Sequence, residues 1–236
     1  MATEAADVVF LLDVDNTLHD TDTFIADLNG TLEQRFGAAS AKRYWLHYEH
    51  LRDTLGYADY LGALQLCRSD AAFGEVGDPA LLGMSAYLLD YPFAERLYPG
   101  ALDVVRRLGE HGPTVILSDG DVVLQPHKVR RAGLWDAVQG RVLIHIHKEE
   151  MLDQMQRRYP ARHYVMVDDK LRLLNAMKAV MGARLTTVFP RQGHYATDSA
   201  TLADYPAADV SIDRIAELLQ IDIGTLLANP NRSPRP

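Results

Sequence analysis

Near the start of the chain, two aspartates lie two residues apart at the end of an apolar run. Residues 8–12 are valine, phenylalanine and leucine, and Asp13 and Asp15 follow. A carboxylate in such a place can attack phosphorus, and its neighbour can donate or accept a proton. Two carboxylates this close repel each other unless a cation or a shared proton relieves the charge. The pair therefore suggests phosphoryl transfer with Mg²⁺.

Three more apolar runs end in side chains that suit the same chemistry. Residues 114–117 lead into Ser118 and Asp119, residues 142–147 into Lys148, and residues 164–167 into Asp168 and Asp169. Parallel strands point their carboxyl ends at one edge of a sheet, where ligands of open α/β folds bind. We therefore expect these side chains to meet at one site.

The acidic residues divide into catalytic and metal-binding groups. Asp13 is the candidate nucleophile, and Asp15 is the candidate acid and base because alternation at the strand end puts both carboxyl groups on one side. Asp169 and, as second choice, Asp168 complete a metal site with Asp13 and Asp15. Either residue of the later pair could instead cap the helix that follows.

The candidate substrate-binding residues are a hydroxyl, a turn and a lysine. Ser118 and Lys148 suit the phosphoryl oxygens, and the turn at Asp119 and Gly120 could add main-chain N–H donors. Lys128 competes with Lys148 for the same role. It lies inside an expected helix, where the plainer interpretation is a surface lysine.

Several other residues have a structural and a functional interpretation. For Thr17 we favour a structural role, in which its hydroxyl holds the loop after Asp15. His145 and His147 would need further ligands to bind a transition metal, so we interpret them as strand-end residues. The loop of residues 191–195 could contact substrate or be merely exposed. Five aromatic residues of the expected helices are predicted to pack in a core and not to line a substrate pocket. They are Tyr44, Trp45, Tyr48, Tyr57 and Tyr60.

The remaining pattern predicts the elements that position these side chains. Helices are expected at residues 23–36, 40–55, 57–67 and 79–89, with Gly37, Gly56 and Gly74 as breaks. Further helices are expected at 102–108, 123–132, 149–157, 171–181 and 211–219, and strands at 8–12, 114–117, 141–146, 164–167 and 185–189. The alternation after residue 99 predicts an α/β fold, a parallel sheet with helices on both faces.

The strand ends resemble the motifs of the haloacid dehalogenase superfamily, on its phosphatase side. The resemblance covers residues 7–20 and 99–220 and rests, in order, on Asp13-Val14-Asp15-Asn16-Thr17, Ser118, Lys148 and Asp168-Asp169. It implies a Rossmann-like core, a phosphoaspartate intermediate, Mg²⁺ and a helical cap inserted between the first and second motifs. Residues 1–20 and 99–227 would form the core, 21–98 the cap and 228–236 a flexible tail.

The same resemblance separates two chemistries. Members that remove halide typically lack the second aspartate of the first motif, whereas Asp15 is present here. Two positions depart from the family pattern, since Asp119 stands where asparagine is common and Glu149 follows Lys148 where proline is frequent. We expect phosphate removal from a small phosphorylated metabolite. A phosphotransferase or phosphomutase is the alternative, with a receiver-type signalling domain or a dehalogenase less favoured.

The composition of the chain excludes some classes of binding partner and location. The formal net charge of -8 and the lack of a basic stripe argue against binding to nucleic acid. No apolar run reaches the ~18 residues that a membrane span needs, and residues 1–6 show no targeting pattern. Cys67 is the single cysteine, which excludes an intramolecular disulfide and favours a small buried residue on a helix. We expect a cytoplasmic protein.

Overall fold

The computed structural model describes residues 5–73 and 78–227, which contain a six-stranded parallel sheet. The strands are β1 (Ala6–Leu12), β2 (Thr114–Asp119), β3 (Val142–His145), β4 (Ala161–Val167), β5 (Leu185–Pro190) and β6 (Val210–Ile212). Their order across the sheet is β3-β2-β1-β4-β5-β6. The predicted α/β class with a Rossmann-like sheet is confirmed.

Helices lie between and beside the strands. They are α1 (Thr21–Leu55), α2 (Tyr60–Ser69), α3 (Asp78–Asp90), α4 (Ala101–Gly109), α5 (Leu124–Arg131), α6 (Leu134–Ala137), α7 (Leu152–Arg158), α8 (Leu171–Met181), α9 (Ser199–Asp204) and α10 (Ile223–Leu227). Within residues 5–73 and 78–227, none of the helices combines the length and apolar character that crossing a lipid bilayer requires.

β1 is apolar at successive positions because the sheet is covered on both faces. Phe10 and Leu12 belong to the hydrophobic cluster on one face, while Val9 and Leu11 belong to the cluster on the other. All four side chains are buried. This two-sided burial places β1 in the middle of the molecule.

The register of β1 brings its end level with both neighbours. Leu12 lies opposite Ile116 of β2 and Val167 of β4. The N–H of Asp13 continues the ladder by donating to the carbonyl of Val167 at 3.0 Å. Because the chain runs from β1 to β2 on one side and reaches β4 on the other, a crevice for ligands forms beyond these strand ends.

Most of the described residues between 20 and 98 are helical, and we call residues 20–98 the helical insertion. Its first helix, α1, begins after Asp20, whose side chain accepts a hydrogen bond from the N–H of Thr23 at 2.9 Å. Two main-chain hydrogen bonds join the chain where it leaves and returns. Asp20 donates to the carbonyl of Arg96 at 2.7 Å, and Tyr98 donates to that of Leu18 at 2.9 Å. The division into separate core and cap domains stays a prediction.

The expected glycine breaks have different outcomes. Gly37 interrupts the helical geometry inside α1, and Gly56 ends that helix with a left-handed φ of 82°. The next helix begins at Tyr60 rather than residue 57, because the Asp59 side chain accepts a hydrogen bond from the N–H of Gly62 at 2.6 Å. Gly74 and the tail of residues 228–236 lie outside the described residues.

The predicted helix at residues 211–219 is wrong. Val210–Ile212 forms β6, with Val210 opposite Val188 of β5, and a 3-10 helix follows at Ile215–Leu219. The alternation of Val210 and Ile212 around Ser211 extends the sheet by one short strand. Similarly, the helix expected at residues 149–157 divides into a 3-10 turn, Lys148–Glu150, and α7.

Candidate active site

Asp13 lies at the bottom of the crevice, directly after β1. Its side chain is buried. The Lys148 ammonium donates to Asp13 Oδ1 at 2.5 Å, and the Ser118 hydroxyl lies 3.4 Å from the same oxygen. Burial raises the pKa of Asp13 to about 6, although Lys148 opposes the rise. Three strand ends therefore converge on Asp13, as the sequence predicted.

Lys148 joins the ends of β1 and β4. Its ammonium lies 2.5 Å from Asp13 Oδ1 and 2.6 Å from Asp168 Oδ2, and the side chain is almost fully buried. Burial alone would lower the pKa of Lys148, but Asp13 and Asp168 outweigh it and raise that pKa. Lys148 therefore remains a cation at the centre of the site.

Asp119 holds the main chain of the turn that carries Lys148. Its Oδ1 accepts a hydrogen bond from the main-chain N–H of Lys148 at 2.8 Å. Asp121, the other acidic residue of this loop, accepts from the N–H groups of Val123 and Leu124 at 2.7 and 2.6 Å and so caps α5. Both extra negative charges of the loop are thus engaged by main-chain donors.

Asp13, Asp168 and Asp169 form a buried acidic cluster. Each offers one carboxylate oxygen, and these oxygens lie within 4.8 Å of one another. Neither oxygen of Asp169 has a hydrogen-bond partner among the described residues. Burial, with Asp168 and Asp13 nearby, raises the pKa of Asp169 well above its usual range. Buried, unpartnered carboxylate oxygens of this kind suit a divalent cation with hard oxygen ligands.

Thr17 holds the acidic pair after β4 in place. The N–H of Asp169 donates to the Thr17 hydroxyl at 3.0 Å, while Asp168 Oδ1 accepts from the N–H of Lys170 at 2.8 Å. This hydrogen bond fits the structural role predicted for Thr17. However, the Thr17 hydroxyl holds the loop after β4 and not the loop after β1, to which Thr17 itself belongs. The alternative that the acidic pair caps the next helix, α8, is supported by one contact only, the bond from the N–H of Lys170 to Asp168 Oδ1.

The Asp15 carboxylate lies outside the acidic cluster and faces the open side of the crevice. Oδ1 accepts from the Thr21 hydroxyl at 2.5 Å and contacts the Lys128 ammonium, and Oδ2 accepts from the Gln125 amide at 2.8 Å. Burial acts to raise the pKa of Asp15, but Lys128 and Thr21 outweigh it and hold that pKa below its usual range. Of the four predicted metal ligands, the structure groups three and leaves Asp15 apart.

Lys128 differs from the surface lysine that its helix pattern suggested. Its side chain is buried, and it pairs with Asp15. Gln125 and Lys128 are three residues apart and so share one face of α5. The site thus holds two buried lysines, one for each of the two aspartates after β1, and sequence reasoning assigned only Lys148.

His19 supports Asp15 from behind. Its Nδ1 lies 3.1 Å from the Thr21 hydroxyl, and that hydroxyl donates to Asp15. The Thr21 proton is thus committed to Asp15, so His19 must carry its proton on Nδ1 and donate it. Burial and the nearby Lys128 lower the pKa of His19 to about 3. His19 is therefore a neutral donor, which the sequence did not indicate.

A cavity of about 370 Å³ opens in front of Asp15 and Asp169. Its walls come from the sheet edge, from α5 and from the helical insertion, which contributes Tyr48, Tyr57 and Tyr60. Tyr48 and Tyr60 are also buried in the hydrophobic cluster, so they serve both as core and as cavity wall. The walls carry both signs of charge and hydroxyl groups, which suits a small polar ligand.

The two histidines before Lys148 lie in different environments. His147 lines the cavity and packs against the end of α1, where a Cβ on Gly56 would come within 2.9 Å of its Nε2. His145 is half-buried at the end of β3, and burial lowers its pKa. The strand-end interpretation describes His145, and His147 additionally shapes the pocket.

The loop of residues 191–195 is built into the site. His194 Nδ1 lies 2.7 Å from Asp22 Oδ1, and both His194 and Tyr195 line the cavity. Gln192 is buried, and its amide donates to the carbonyl of Thr17 at 3.1 Å. Two residues of this loop thus face the cavity, and contact with substrate stays a prediction.

A family model matches the part of the chain that holds this site. A family described as haloacid dehalogenase-like hydrolase matches residues 8–180, which include every strand end of the site. The chain belongs to the haloacid dehalogenase-like hydrolases. A comparison with curated proteins finds no match.

Solved structures extend the likeness of this haloacid dehalogenase-like hydrolase beyond the matched segment. A haloacid dehalogenase-like hydrolase from Burkholderia xenovorans LB400 is 60% identical, with a TM-score of 0.85 over 92% of this chain and 99% of that one. A magnesium-bound HAD hydrolase from Bacillus subtilis is 17% identical, with a TM-score of 0.61 over 91% and 98%. An L-2-haloacid dehalogenase from Xanthobacter autotrophicus is 17% identical, with a TM-score of 0.57 over 91% and 97%. The last two share the fold.

Proposed function

We propose that this hydrolase removes phosphate from a small phosphorylated metabolite, with Mg²⁺ and through a phosphorylated Asp13. The observation that carries the proposal is the pairing of a buried nucleophile with a partnerless carboxylate. Asp13 contacts Lys148 and Ser118, and the Asp169 oxygens beside it have no hydrogen-bond partner in the described chain. An anionic substrate and an anionic nucleophile can meet only where cations offset their repulsion.

The first step transfers the phosphoryl group to Asp13. An Asp13 oxygen attacks phosphorus as the bond from phosphorus to the ester oxygen breaks, and a proton from the Asp15 carboxyl goes to the departing alkoxide. Because the contacts of Asp15 in the free site favour its carboxylate, Asp15 has to take up this proton before the ester bond breaks. Lys148 offers a buried positive charge to the phosphoryl oxygens, and the Ser118 hydroxyl offers a hydrogen bond. The cavity in front of Asp15 accommodates the leaving group.

The second step returns Asp13 to its starting state. Asp15, now a carboxylate, accepts a proton from water, and the water oxygen attacks the phosphorus of the phosphoaspartate. The bond between phosphorus and the Asp13 oxygen breaks, and inorganic phosphate leaves. The contacts of Asp15 with Lys128, Thr21 and Gln125 favour its ionised form, which suits this step directly.

The acidic cluster fits a magnesium ion held by Asp13, Asp168 and Asp169. All three are buried, and oxygen donors of this kind are the ligands that Mg²⁺ prefers. When bound there, Mg²⁺ would neutralise charge between the nucleophile and the phosphoryl group. The magnesium-bound relative from Bacillus subtilis is in keeping with this assignment.

Halide removal is a less suitable chemistry for this site. A halide leaves without needing a proton, so the acid role of Asp15 would serve no purpose in that reaction. The geometry around Asp15 therefore supports a leaving alkoxide.

The test is hydrolysis of 4-nitrophenyl phosphate with Mg²⁺ and with a chelator, for the wild type and for Asp13→Asn. We expect phosphate release that needs both the metal and Asp13, and no chloride release from 2-chloropropionate. Activity that survives chelation and the Asp13 substitution would remove the proposal. Transfer to an added alcohol without release of phosphate would identify a phosphotransferase instead.

A further inference from the structure

Lys170 is a cation of the active site without an acidic partner. It follows the acidic cluster directly, is half-buried and lines the cavity in front of Asp15. Among residues 5–73 and 78–227, no carboxylate lies within 4.0 Å of its ammonium group, whereas Lys128 and Lys148 each form an ion pair. The contact that the structure provides for this ammonium is the ring of Tyr195, whose centre is 5.1 Å away.

The ammonium of a lysine that lines an open cavity carries a positive charge at neutral pH. Aromatic rings hold cations loosely through their faces and leave the N–H donors free. Lys170 therefore presents unused hydrogen-bond donors and a positive charge to the cavity.

The loop of residues 191–195 is anchored so that Tyr195 lies beneath this ammonium. Gly193 has a φ of 72°, and a Cβ there would come within 2.5 Å of the Asn16 side chain, so the loop lies tightly against the residue after Asp15. The Gln192 side chain then bridges the carbonyl of Thr17 and the N–H of Ile215. Such fixing costs conformational freedom and leaves Tyr195 and Lys170 in a defined arrangement.

We propose that Lys170, supported by Tyr195, binds an anionic oxygen of the substrate. The inference rests on the proposed function for the identity of the substrate, because it assumes a phosphorylated ligand in this cavity. Two sources could supply the oxygen: the phosphoryl group itself, or a second acidic group on the leaving part. Charge-assisted bonds from a fixed ammonium suit either one.

The first arm measures direct binding of inorganic phosphate by calorimetry in the presence of Mg²⁺. It compares the wild type with Lys170→Gln, Lys170→Arg and the control Lys42→Gln, which changes an exposed lysine of α1. If the phosphoryl group is the source, Lys170→Gln weakens phosphate binding about tenfold or more, as loss of one charge-assisted bond predicts. Lys170→Arg retains most of the affinity, and Lys42→Gln changes nothing.

The second arm measures KM and kcat for glycerol 3-phosphate and 3-phosphoglycerate, which differ by one carboxylate on the leaving part. If that second acidic group is the source, Lys170→Gln raises KM for 3-phosphoglycerate about tenfold, with kcat and the glycerol 3-phosphate constants retained. Tyr195→Leu shifts the same constants in the same direction by a smaller factor. Thermal melting confirms that each variant is folded, and Lys170→Met replaces the glutamine variant if that one is not.

The inference is overturned if folded Lys170→Gln changes phosphate affinity and both KM values by less than threefold. Failure of the proposed function gives a different result. In that case no ester releases phosphate even with wild type and Mg²⁺, while the dependence of phosphate binding on Lys170 is still measured in the first arm.

Discussion

The buried side chain of Lys128 forms an ion pair with Asp15 and so joins α5 to the loop that follows β1. The contact lies between residues 113 positions apart in the chain. It gives the second aspartate of the pair a different electrostatic environment from the first. Burial raises the pKa of Asp13 to about 6, whereas Lys128 holds the pKa of Asp15 below its usual range. The two neighbouring carboxyl groups therefore titrate in different pH ranges.

Replacing Lys128 by methionine should therefore change the pH dependence of turnover. Without the ammonium, the pKa of Asp15 rises by about one to three pH units, so an acidic limb of the kcat profile that lies below pH 4 in the wild type moves toward or into the measured range. The measurement is kcat for 4-nitrophenyl phosphate between pH 4 and 9, with Lys42→Met as the exposed-lysine control. An acidic limb that stays in place in the folded variant contradicts this electrostatic role.

Asp15→Asn should slow poor leaving groups more than good ones. The amide keeps the shape of the side chain but cannot donate a carboxyl proton, which matters most when the leaving alkoxide is strongly basic. We expect about a hundredfold larger loss of kcat/KM for an alkyl phosphate than for 4-nitrophenyl phosphate. Equal losses across a series of aryl and alkyl esters would count against the acid role.

Asp169→Asn should stabilise the metal-free protein and remove its response to Mg²⁺. The neutral amide relieves repulsion within the acidic cluster, which we expect to raise the free energy of unfolding by roughly 1–3 kcal/mol without metal. Chemical denaturation with and without Mg²⁺ measures both effects. If Mg²⁺ stabilises the variant as much as the wild type, Asp169 does not hold the ion.

His19 should make the protein less stable as the solution becomes acidic. Its pKa is about 3 in the folded protein against 6.5 for a free histidine, so below pH 6.5 the unfolded chain binds a proton that the folded one does not. The free energy of unfolding therefore falls as pH drops, by about 2 kcal/mol from this group at pH 5. The difference between wild type and His19→Phe isolates this contribution. A difference that does not vary between pH 7 and 5 would disprove the burial of a neutral imidazole.

Gly193→Ala should destabilise the loop of residues 191–195 by more than the cost of its backbone conformation. Gly193 and Gly182 both have positive φ, but a Cβ meets Asn16 at 2.5 Å in the first case and nothing within 4 Å in the second. Gly182→Ala therefore measures the cost of a backbone conformation that residues with a Cβ rarely adopt, about 1–3 kcal/mol, without a steric contact. We expect Gly193→Ala to be less stable than this control and to lose activity as well. Equal effects of the two substitutions would mean that the loop adjusts freely.

The strand ends were predictable because a parallel sheet brings them together whatever the loops do. Asp13, Ser118, Lys148 and the pair after β4 were assigned in this way, and the structure places them side by side. Their chemical roles stay predictions. The sheet itself was predicted except for β6, which is only three residues long and lies in a stretch whose apolar spacing also fits a helix.

The residues that hold Asp15 were not predictable from local pattern. Lys128 and Gln125 belong to a helix with several polar positions, and only the packing of α5 decides which face meets the crevice. His19 lies in the short connection before α1, and Thr21 is the first residue of that helix. A single sequence gives no signal for the contacts of His19, Thr21 and Gln125 with Asp15, and it offered Lys128 only as the alternative to Lys148.

The pairing of two chain segments at the base of the helical insertion has a mechanical consequence. The chain enters and leaves the insertion through adjacent segments, residues 18–20 and 96–98, which are hydrogen-bonded side by side. A tilt of the insertion would have to bend this paired connection, and it would carry Thr21 with it. Opening would thus loosen the grip on Asp15, while Asp13 and Lys148 kept their places on the sheet. Under the proposed mechanism, such a tilt would therefore disturb the proton transfer assigned to Asp15 more than the attack assigned to Asp13.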